Sequence, residues 1–289
     1  MTDTDAPQRI AKVMARAGLC SRREAERWIA DGRVSVDGET IRDPALNVSA
    51  ANTVVVDGKP LPAAESPRLW RFHKPPGLVT TERDPQGRPT VFEALPKSMP
   101  RVLSVGRLDL NSEGLLLFTN DGEVARQLEM PSTGWARRYR VRIFGPVTQS
   151  KLDRLSKGVT VDGVKYGAIS AEIERQTGSN AWVIVTLKEG KNREIRRVME
   201  HLGFSVNRLI RISYGPFDLG TLERGDVLEV PPGELRAILG RPHKGAKAKP
   251  RKLKPGYKAA RKAAAKRKQD QGDKPASKGK ADAHRRRPV

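Results

Sequence analysis

The chain has 289 residues, 37% of which are apolar, so it is long enough and apolar enough to fold as one large domain or two ordinary ones. Its net charge of +22 indicates a polyanionic partner, either nucleic acid or an anionic membrane surface, but no apolar run approaches the roughly 18 residues that a membrane span requires. One cysteine, Cys20, excludes an internal disulfide, and beside four scattered histidines it gives no zinc-ligand spacing, so we expect a cytoplasmic protein that binds no metal.

Residues 1–61 begin with an amphipathic helix. Arg9, Lys12 and Arg16 share one face of this helix and make it cationic. The opposite face is apolar, because residues at helical spacing form one stripe: Ile10, Val13, Met14 and Ala17. One side of the helix is therefore expected to pack and the other to carry charge.

A second helix and a hairpin are predicted to complete this first domain. Ser21 and Glu24 have the spacing of a capping box, and the helix that they begin runs to about Asp31. Residues 33–36 and 54–56 have the composition of strands, and an Asp-Gly pair that suits a tight turn follows each run. These signals predict a small helix-helix-hairpin domain over residues 1–61.

Residues 62–68 are interpreted as a linker, because they have no apolar period and their prolines resist regular pairing. The second domain, residues 69–240, alternates short strand-like runs with helical ones, which favours an α+β fold. The predicted strands are 103–105, 115–119, 139–144 and 182–187, and the predicted helices are 123–129 and 192–202.

Residues 241–289 form a basic tail with 19 Lys and Arg and 3 Asp, which gives a net charge of +16 and leaves +6 for the rest of the chain. With scarcely any large apolar residue, nothing offsets the entropy cost of ordering, so we predict disorder. The tail is either a solvated basic extension or a nonspecific RNA-binding arm.

The densest local pattern is GRLDLNSEG over residues 106–114, which places Asp109 between two predicted strands. On pattern alone, an aspartate at a strand end is usually a turn or cap residue. This run, however, resembles the signature of the RsuA-like family of pseudouridine synthases, in which the aspartate of GRLD is catalytic. Further stretches resemble the family in order and spacing: KPPG at 74–77, DPQGRPT at 84–90, RYRV at 138–141 and GKNREIRR at 190–197.

The first domain likewise resembles the ribosomal-protein-S4-like, or alpha-L, RNA-binding domain. The two resemblances cover nearly all of the chain except the tail. They imply an α+β pseudouridine synthase with a mixed antiparallel sheet, which isomerises a uridine in ribosomal RNA. The reaction breaks the bond from ribose to the uracil nitrogen and rejoins the base through carbon, so no cofactor is expected.

The resemblance assigns three catalytic residues. Asp109 acts on the nucleoside, either by attack or by abstracting a proton from the sugar. Tyr139 stacks on the flipped base, although an alternating strand also explains a half-buried tyrosine. Arg196 pairs with the aspartate, since a nearby cation restores the charge of a buried carboxylate, although it could also be an exposed helix charge.

Other cations are candidates for RNA contact, and each could equally be an ordinary solvated charge. In the first domain they are expected to contact phosphates: Arg9, Lys12, Arg16, Arg22 and Arg23. In the second domain the candidates are Arg107, Lys191, Arg193, Arg197, Arg208 and Arg211. Arg193, Arg196 and Arg197 are spaced to share one face of the predicted helix.

The motifs are closest to the branch of the family that acts on large-subunit ribosomal RNA. An enzyme for small-subunit RNA and a catalytically idle RNA-binding assembly factor are the alternatives. We expect a monomer whose partner is ribosomal RNA or a ribosomal assembly intermediate. Neither the modified uridine nor the intermediate follows from the sequence.

Overall fold

The N-terminal unit packs two short helices against small antiparallel strands. In a computed structural model of the protein, which describes residues 6–240 and 252–253, this unit is built around a core that includes Ile10, Met14 and Ile29. Its elements are β1 (Gln8–Arg9), α1 (Ile10–Arg16), α2 (Arg22–Ala30), β2 (Val34–Val36), β3 (Glu39–Ile41), β4 (Asn47–Val48), β5 (Val54–Val56) and β6 (Lys59–Pro60).

Local sequence signals explain how these elements begin and turn. The Ser21 hydroxyl accepts a hydrogen bond from the Glu24 amide at 3.2 Å, and the Glu24 carboxylate accepts one from the Ser21 amide at 3.1 Å. This confirms the predicted capping box. Asp37 and Gly38 have φ values of 53° and 89°, as a two-residue hairpin turn requires. The predicted helix-helix-hairpin arrangement is therefore confirmed.

The second unit is a large mixed sheet with helices on both faces. Its first elements are β7 (Leu69–Lys74), β8 (Leu103–Val105), β9 (Ser112–Thr119), α3 (Gly122–Glu129), β10 (Arg137–Phe144), α4 (Gln149–Asp153), β11 (Val159–Val161) and β12 (Val164–Tyr166). The remaining elements are β13 (Ile169–Thr177), β14 (Asn180–Leu187), α5 (Glu194–His201), β15 (Ser205–Tyr214), β16 (Phe217–Asp218), β17 (Val227–Glu229), α6 (Pro232–Ile238) and β18 (Lys252–Leu253). Residues Pro131–Thr133 and Arg154–Lys157 form 3₁₀ turns.

Within the described residues, the main path of the sheet runs β13-β14-β10-β15-β9-β7-β17-β18. Most neighbours are antiparallel, and β15 with β9 is a parallel pair. At this pair Gly114 has φ +100°, and a Cβ there would overlap the backbone of Arg211, so only glycine fits. One core cluster includes residues of α5 and the other residues of α3 and α6. The predicted α+β fold with a mixed sheet is confirmed.

The structure differs from the sequence expectations in element bounds. In the second unit several strands were not predicted, among them β7, β13 and β15. The predicted strands β9, β10 and β14 begin two or three residues earlier than expected, whereas β8 has the expected bounds. The predicted helix at 192–202 is wrong at its start, because Arg193 adopts φ +51° and α5 begins at Glu194. The predicted disordered tail, residues 241–289, lies outside the described residues except for β18. No helix in the described part of the chain is long and apolar enough to cross a membrane.

Candidate active site

A cavity of about 450 Å³ opens where the β8–β9 loop, β10, β15 and the segment before α5 meet. Pockets of this size hold small ligands or single bases. Six of the residues predicted from the sequence to be functional line it: Arg107, Asp109, Tyr139, Lys191, Arg193 and Arg211. The fold therefore brings these six predicted residues, which are one carboxylate, one aromatic ring and four cations, together around one space.

Asp109 lies in the loop between β8 and β9, as its flanking runs predicted. Its side chain is 31% exposed, and its Oδ2 atom is 3.9 Å from Nη1 of Arg193. The Asp109 carbonyl accepts a hydrogen bond from the Ser112 amide at 3.0 Å, which closes a turn just before β9. The carboxylate thus stands at the cavity wall on a constrained backbone and beside a guanidinium.

Lys74, at the end of β7, is fully buried beneath this loop. Its ammonium donates to the carbonyl oxygens of Asp109 at 3.0 Å, Leu110 at 3.3 Å and Ser112 at 2.8 Å, and also to its neighbour Pro75. Burial lowers the pKa of Lys74 to about 8, against the opposing effect of Asp109 and Glu113. The sequence analysis matched this lysine to a family motif but assigned it no role.

Tyr139 of β10 is buried at 9% exposure and lies across the sheet from Arg211 of β15. Arg211 is 2% exposed, and its Nε donates to the Leu115 carbonyl at 2.7 Å. The neighbouring strands β10 and β15 therefore place an aromatic ring and a buried guanidinium in the wall of the same cavity that Asp109 lines.

The arginines around the start of α5 do not share one helix face. Arg193 precedes the helix and has a left-handed backbone conformation, so its side chain does not lie on the helix face of Arg196 and Arg197. Arg196 donates to the Val206 carbonyl at 3.0 Å and is not among the residues that line the cavity. Burial and the neighbouring Arg193 lower the pKa of Arg196, and Asp109 opposes this. Arg197 is exposed.

The sequence analysis assigned no role to several cavity residues, among them Glu194 and Arg137. Glu194 is 4% exposed, and its Oε2 accepts a hydrogen bond from the Lys191 amide at 2.9 Å, while burial raises the pKa of its carboxyl group. Arg137, at the start of β10, donates to the carbonyls of Lys188 and Glu189 and so fixes the segment before α5. Their partners are distant in sequence or lie in a loop, which no local periodicity encodes.

Other predicted RNA-contacting residues of the second unit are engaged within the protein. Arg208 forms a two-pronged ion pair with Glu113 at 2.7 and 3.1 Å, and Arg224 reaches the same carboxylate at 2.8 Å. The ammonium of Lys191 lies 2.8 Å from Glu189. Their roles toward RNA stay predictions.

Two of the three cations predicted on the first helix, Lys12 and Arg16, contact the second unit. The ammonium of Lys12 lies 2.7 Å from Glu123, and the guanidinium of Arg16 lies 3.4 Å from the buried Asp121. Asp121 also caps α3 by accepting from the amide of Glu123 at 2.7 Å. The remaining predicted cations of the first unit are exposed: Arg9, Arg22 and Arg23.

Known proteins are similar to this chain in sequence. The sequence profile of the RNA pseudouridylate synthases matches residues 68–201. An uncharacterized RNA pseudouridine synthase of Rickettsia felis is 49% identical over 223 residues, which are 77% of this chain and 96% of that protein. The chain belongs to the RNA pseudouridylate synthase family. It is thus an enzyme of the RNA pseudouridine synthase class.

Further comparisons agree with this membership of the RNA pseudouridylate synthase family. The S4 domain profile matches residues 8–60. The ribosomal large subunit pseudouridine synthase B of Salmonella typhimurium is 43% identical over 241 residues, which cover 81% of this chain and 82% of that protein. A solved pseudouridylate synthase structure shares the fold with a TM-score of 0.57 and 24% identity, over 79% of this chain and 98% of that one.

The site offers carboxylate chemistry within a cationic cavity. Among the described residues, no group of three or more His, Cys, Asp and Glu side chains converges as metal ligands would. His73 is held by the Leu222 carbonyl at 2.7 Å, outside the cavity. The ionisable groups that line the cavity are three carboxylates, two phenols and five cations, and among the carboxylates Asp109 lies beside Arg193.

Proposed function

We propose that the protein isomerises a specific uridine of large-subunit ribosomal RNA to pseudouridine. The large-subunit target is supported by relatives of that name, among them the Salmonella typhimurium enzyme and a protein of Yersinia pestis that is 43% identical over 218 residues. An rRNA substrate also suits the basic composition of the chain. Small-subunit RNA is the alternative target.

The observation that carries the proposal is the position of the Asp109 carboxylate in the wall of the cavity. The uridine must leave its stack to reach it, at a cost of about a few kcal/mol that contacts in the cavity offset. Lys74 fixes the Asp109 backbone through its carbonyl, so the carboxylate meets the nucleoside from a preorganised position.

In this reaction the bond from C1′ to N1 of the base breaks, and a bond from C1′ to C5 forms. The C5 proton is lost and N1 gains one, so atoms and electrons balance without a redox partner. Tyr139 supplies the surface on which the released base turns, and its hydroxyl assists the removal of the C5 proton.

Two guanidinium groups place positive charge near Asp109 in this proposal. Arg193 makes the direct contact at 3.9 Å. Arg196, the partner expected from the family resemblance, acts on Asp109 through its charge from within the protein. Either chemical route uses the Asp109 carboxylate, so both arginines lie where they can orient it toward the nucleoside.

The remaining features complete the proposal. The S4 domain docks on the RNA through phosphate contacts of exposed cations such as Arg22 and Arg23. Residues 241–289 add sequence-independent attraction through their net charge of +16. We further propose that the enzyme acts as a cytoplasmic monomer on ribosomal RNA or an assembly intermediate, without a cofactor.

The test is pseudouridine mapping of ribosomal RNA from cells that carry the wild type, no protein, or Asp109→Asn. The amide keeps the shape of the side chain and removes its charge, so one uridine of large-subunit RNA should stay unmodified in the last two strains. Asp218→Asn, at an exposed position of β16, is the matched control and should restore modification.

Retention of the modification with Asp109→Asn would show that the catalytic assignment is wrong. Loss of a pseudouridine from small-subunit RNA would show that this RNA is the substrate. An unchanged pseudouridine map in the strain without the protein would favour an assembly factor that has no catalytic activity.

A further inference from the structure

Strand β10 presents different chemistry on its two faces. Tyr139, Val141 and Ile143 are buried, and Tyr139 lines the cavity. Successive side chains of a strand point to opposite faces, so the intervening residues point away from the cavity. These are Arg138, Arg140, Arg142 and Phe144. We call the surface formed by these four residues, together with the neighbouring side chain of Trp182, the outer face.

The outer face carries two aromatic rings, of which Trp182 is half-buried and Phe144 is exposed. Trp182 of β14 lies directly across from Arg142, and the guanidinium of Arg140 is 4.4 Å from the centroid of its ring. Phe144 is 50% exposed, which is the largest exposed fraction among the three large apolar side chains that stand out from the surface of the described residues. Phe144 therefore offers an accessible ring next to the arginines of this face.

The charge of the outer face is positive after its ion pairs are counted. Arg140 pairs with Glu174 at 2.6 Å, whereas Arg138 and Arg142 have no ion pair among the described residues. The arginines on and beside this face are Arg138, Arg140, Arg142, Arg175, Arg208 and Arg224. The glutamates are Glu113, Glu172 and Glu174, which leaves an excess of positive charge.

We propose that the outer face binds a single-stranded segment of the RNA, distinct from the segment whose uridine enters the cavity. Bases stack on Phe144 and Trp182, and the phosphates between them contact Arg138 and Arg142. Aromatic rings interleaved with unpaired guanidinium groups fit this partner, because every base has a stacking face and every nucleotide a negative charge.

The positive charge of the outer face argues against a second copy of the chain, or its own basic tail, as the binding partner. A second copy of this chain, if it met the first through the same face, would bring arginines against arginines. Residues 241–289 of the chain itself are strongly basic and would be repelled in the same way. The proposal goes beyond the isomerisation, since it requires only that the protein binds RNA, and it gives the enzyme a second contact surface on the opposite side of the sheet.

The test measures binding of a fluorescent oligoadenylate of roughly 12 nucleotides to the full chain, because this RNA lacks uracil and cannot supply substrate to the cavity. Phe144→Leu keeps apolar area but removes the ring, and Phe144→Tyr keeps the ring. Arg142→Gln removes one charge from the face, and Arg236→Gln removes one from the exposed side of α6. Phe144→Leu and Arg142→Gln should each weaken binding by at least about 5-fold, and the two controls should not.

With ribosomal RNA as substrate, Phe144→Leu and Arg142→Gln should form pseudouridine with the wild-type kcat and a raised KM. Equal affinities for Phe144→Leu and Phe144→Tyr, with Arg142→Gln matching Arg236→Gln, would overturn the proposal. A second result would also overturn it: the variants bind RNA as the wild type does, and sedimentation shows a wild-type dimer that Phe144→Leu dissociates. The face would then bind a second copy of the chain. If the wild type forms no pseudouridine but the face variants still weaken RNA binding, the proposed function fails and this inference stands.

Discussion

The Nζ atom of Lys74 lies 3.0 Å from the carbonyl oxygen of Asp109, so a buried cation holds the backbone of the residue that carries the candidate catalytic carboxylate. The same ammonium reaches the carbonyls of Leu110 and Ser112. A group with three protons shared among several acceptors favours one loop conformation over others. The loop depends on this lysine although the lysine does not touch the cavity.

Replacing Lys74 with methionine should therefore lower both the free energy of unfolding and the activity. The side chain keeps its length, but the loop carbonyls lose a charged donor in a place that water does not reach, so unfolding should cost about 2 to 4 kcal/mol less. Denaturant titration measures the change, and Lys157→Met, at an exposed position, is the control. An unchanged unfolding midpoint would mean that the loop holds its conformation by other contacts.

Substitutions of the two arginines near Asp109 should differ in their effects on activity and stability. Arg193 is about half exposed, so Arg193→Gln should lower kcat by roughly 10-fold or more while the melting temperature stays the same. Arg196→Gln should lower kcat and also destabilise the fold by about 1 to 2 kcal/mol, because the Val206 carbonyl loses its donor.

Arg197→Gln, which changes an exposed neighbour on the same helix, is the matched control. Wild-type kcat in Arg193→Gln, together with a severe loss in Arg196→Gln, would assign the ion pair to Arg196 alone.

Glu194 should make stability depend on pH. Burial raises the pKa of its carboxyl above the ordinary value of 4.5, so the folded state holds a proton that the unfolded state releases. Its contribution to stability therefore falls as the pH rises from about 4.5 through the raised pKa. Glu194→Gln, which stays neutral, should be more stable than the wild type at pH 7, and this advantage should shrink below pH 4.5.

Thermal unfolding at several pH values measures this dependence, with Glu200→Gln on the exposed side of α5 as the control. A stability difference that is the same at every pH would exclude the titration of Glu194 as its cause.

The contact between the two units should respond to charge. Lys12→Glu would place a second carboxylate beside Glu123, so the S4 domain should undock and the linker at 62–68 should be cleaved faster by protease. Glu123→Lys combined with Lys12→Glu should restore the attraction and the slow cleavage. Equal cleavage rates in all three proteins would show that the ion pair does not hold the domain in place.

Features encoded within a few residues were predictable from the sequence. The capping box of Ser21 and Glu24 depends on a spacing of three, and the Asp37-Gly38 turn depends on two residues that tolerate positive φ. The position of Asp109 between two strands also followed from its neighbours. Each of these signals is complete in one short stretch of chain.

Features that depend on distant partners were not predictable. Lys74 meets carbonyls that lie more than thirty residues later in the chain. The positive φ of Arg193 overrode the helical spacing of its neighbours and turned its side chain toward Asp109. Strand β15 escaped prediction because its pairing with β10 skips Asn207 and Ile212, which breaks the alternation that a strand shows in sequence.

The parallel pairing of Gly114 with Arg211 determines when the cavity can form. The two residues are about 100 positions apart in the chain. Closing a loop of that length costs conformational entropy, which local contacts do not offset. A nascent chain that ends before Ser205 carries Asp109 but lacks the strand that supplies Arg211 to the cavity wall. Synthesis of the catalytic domain must therefore be almost complete before a uridine finds a finished site.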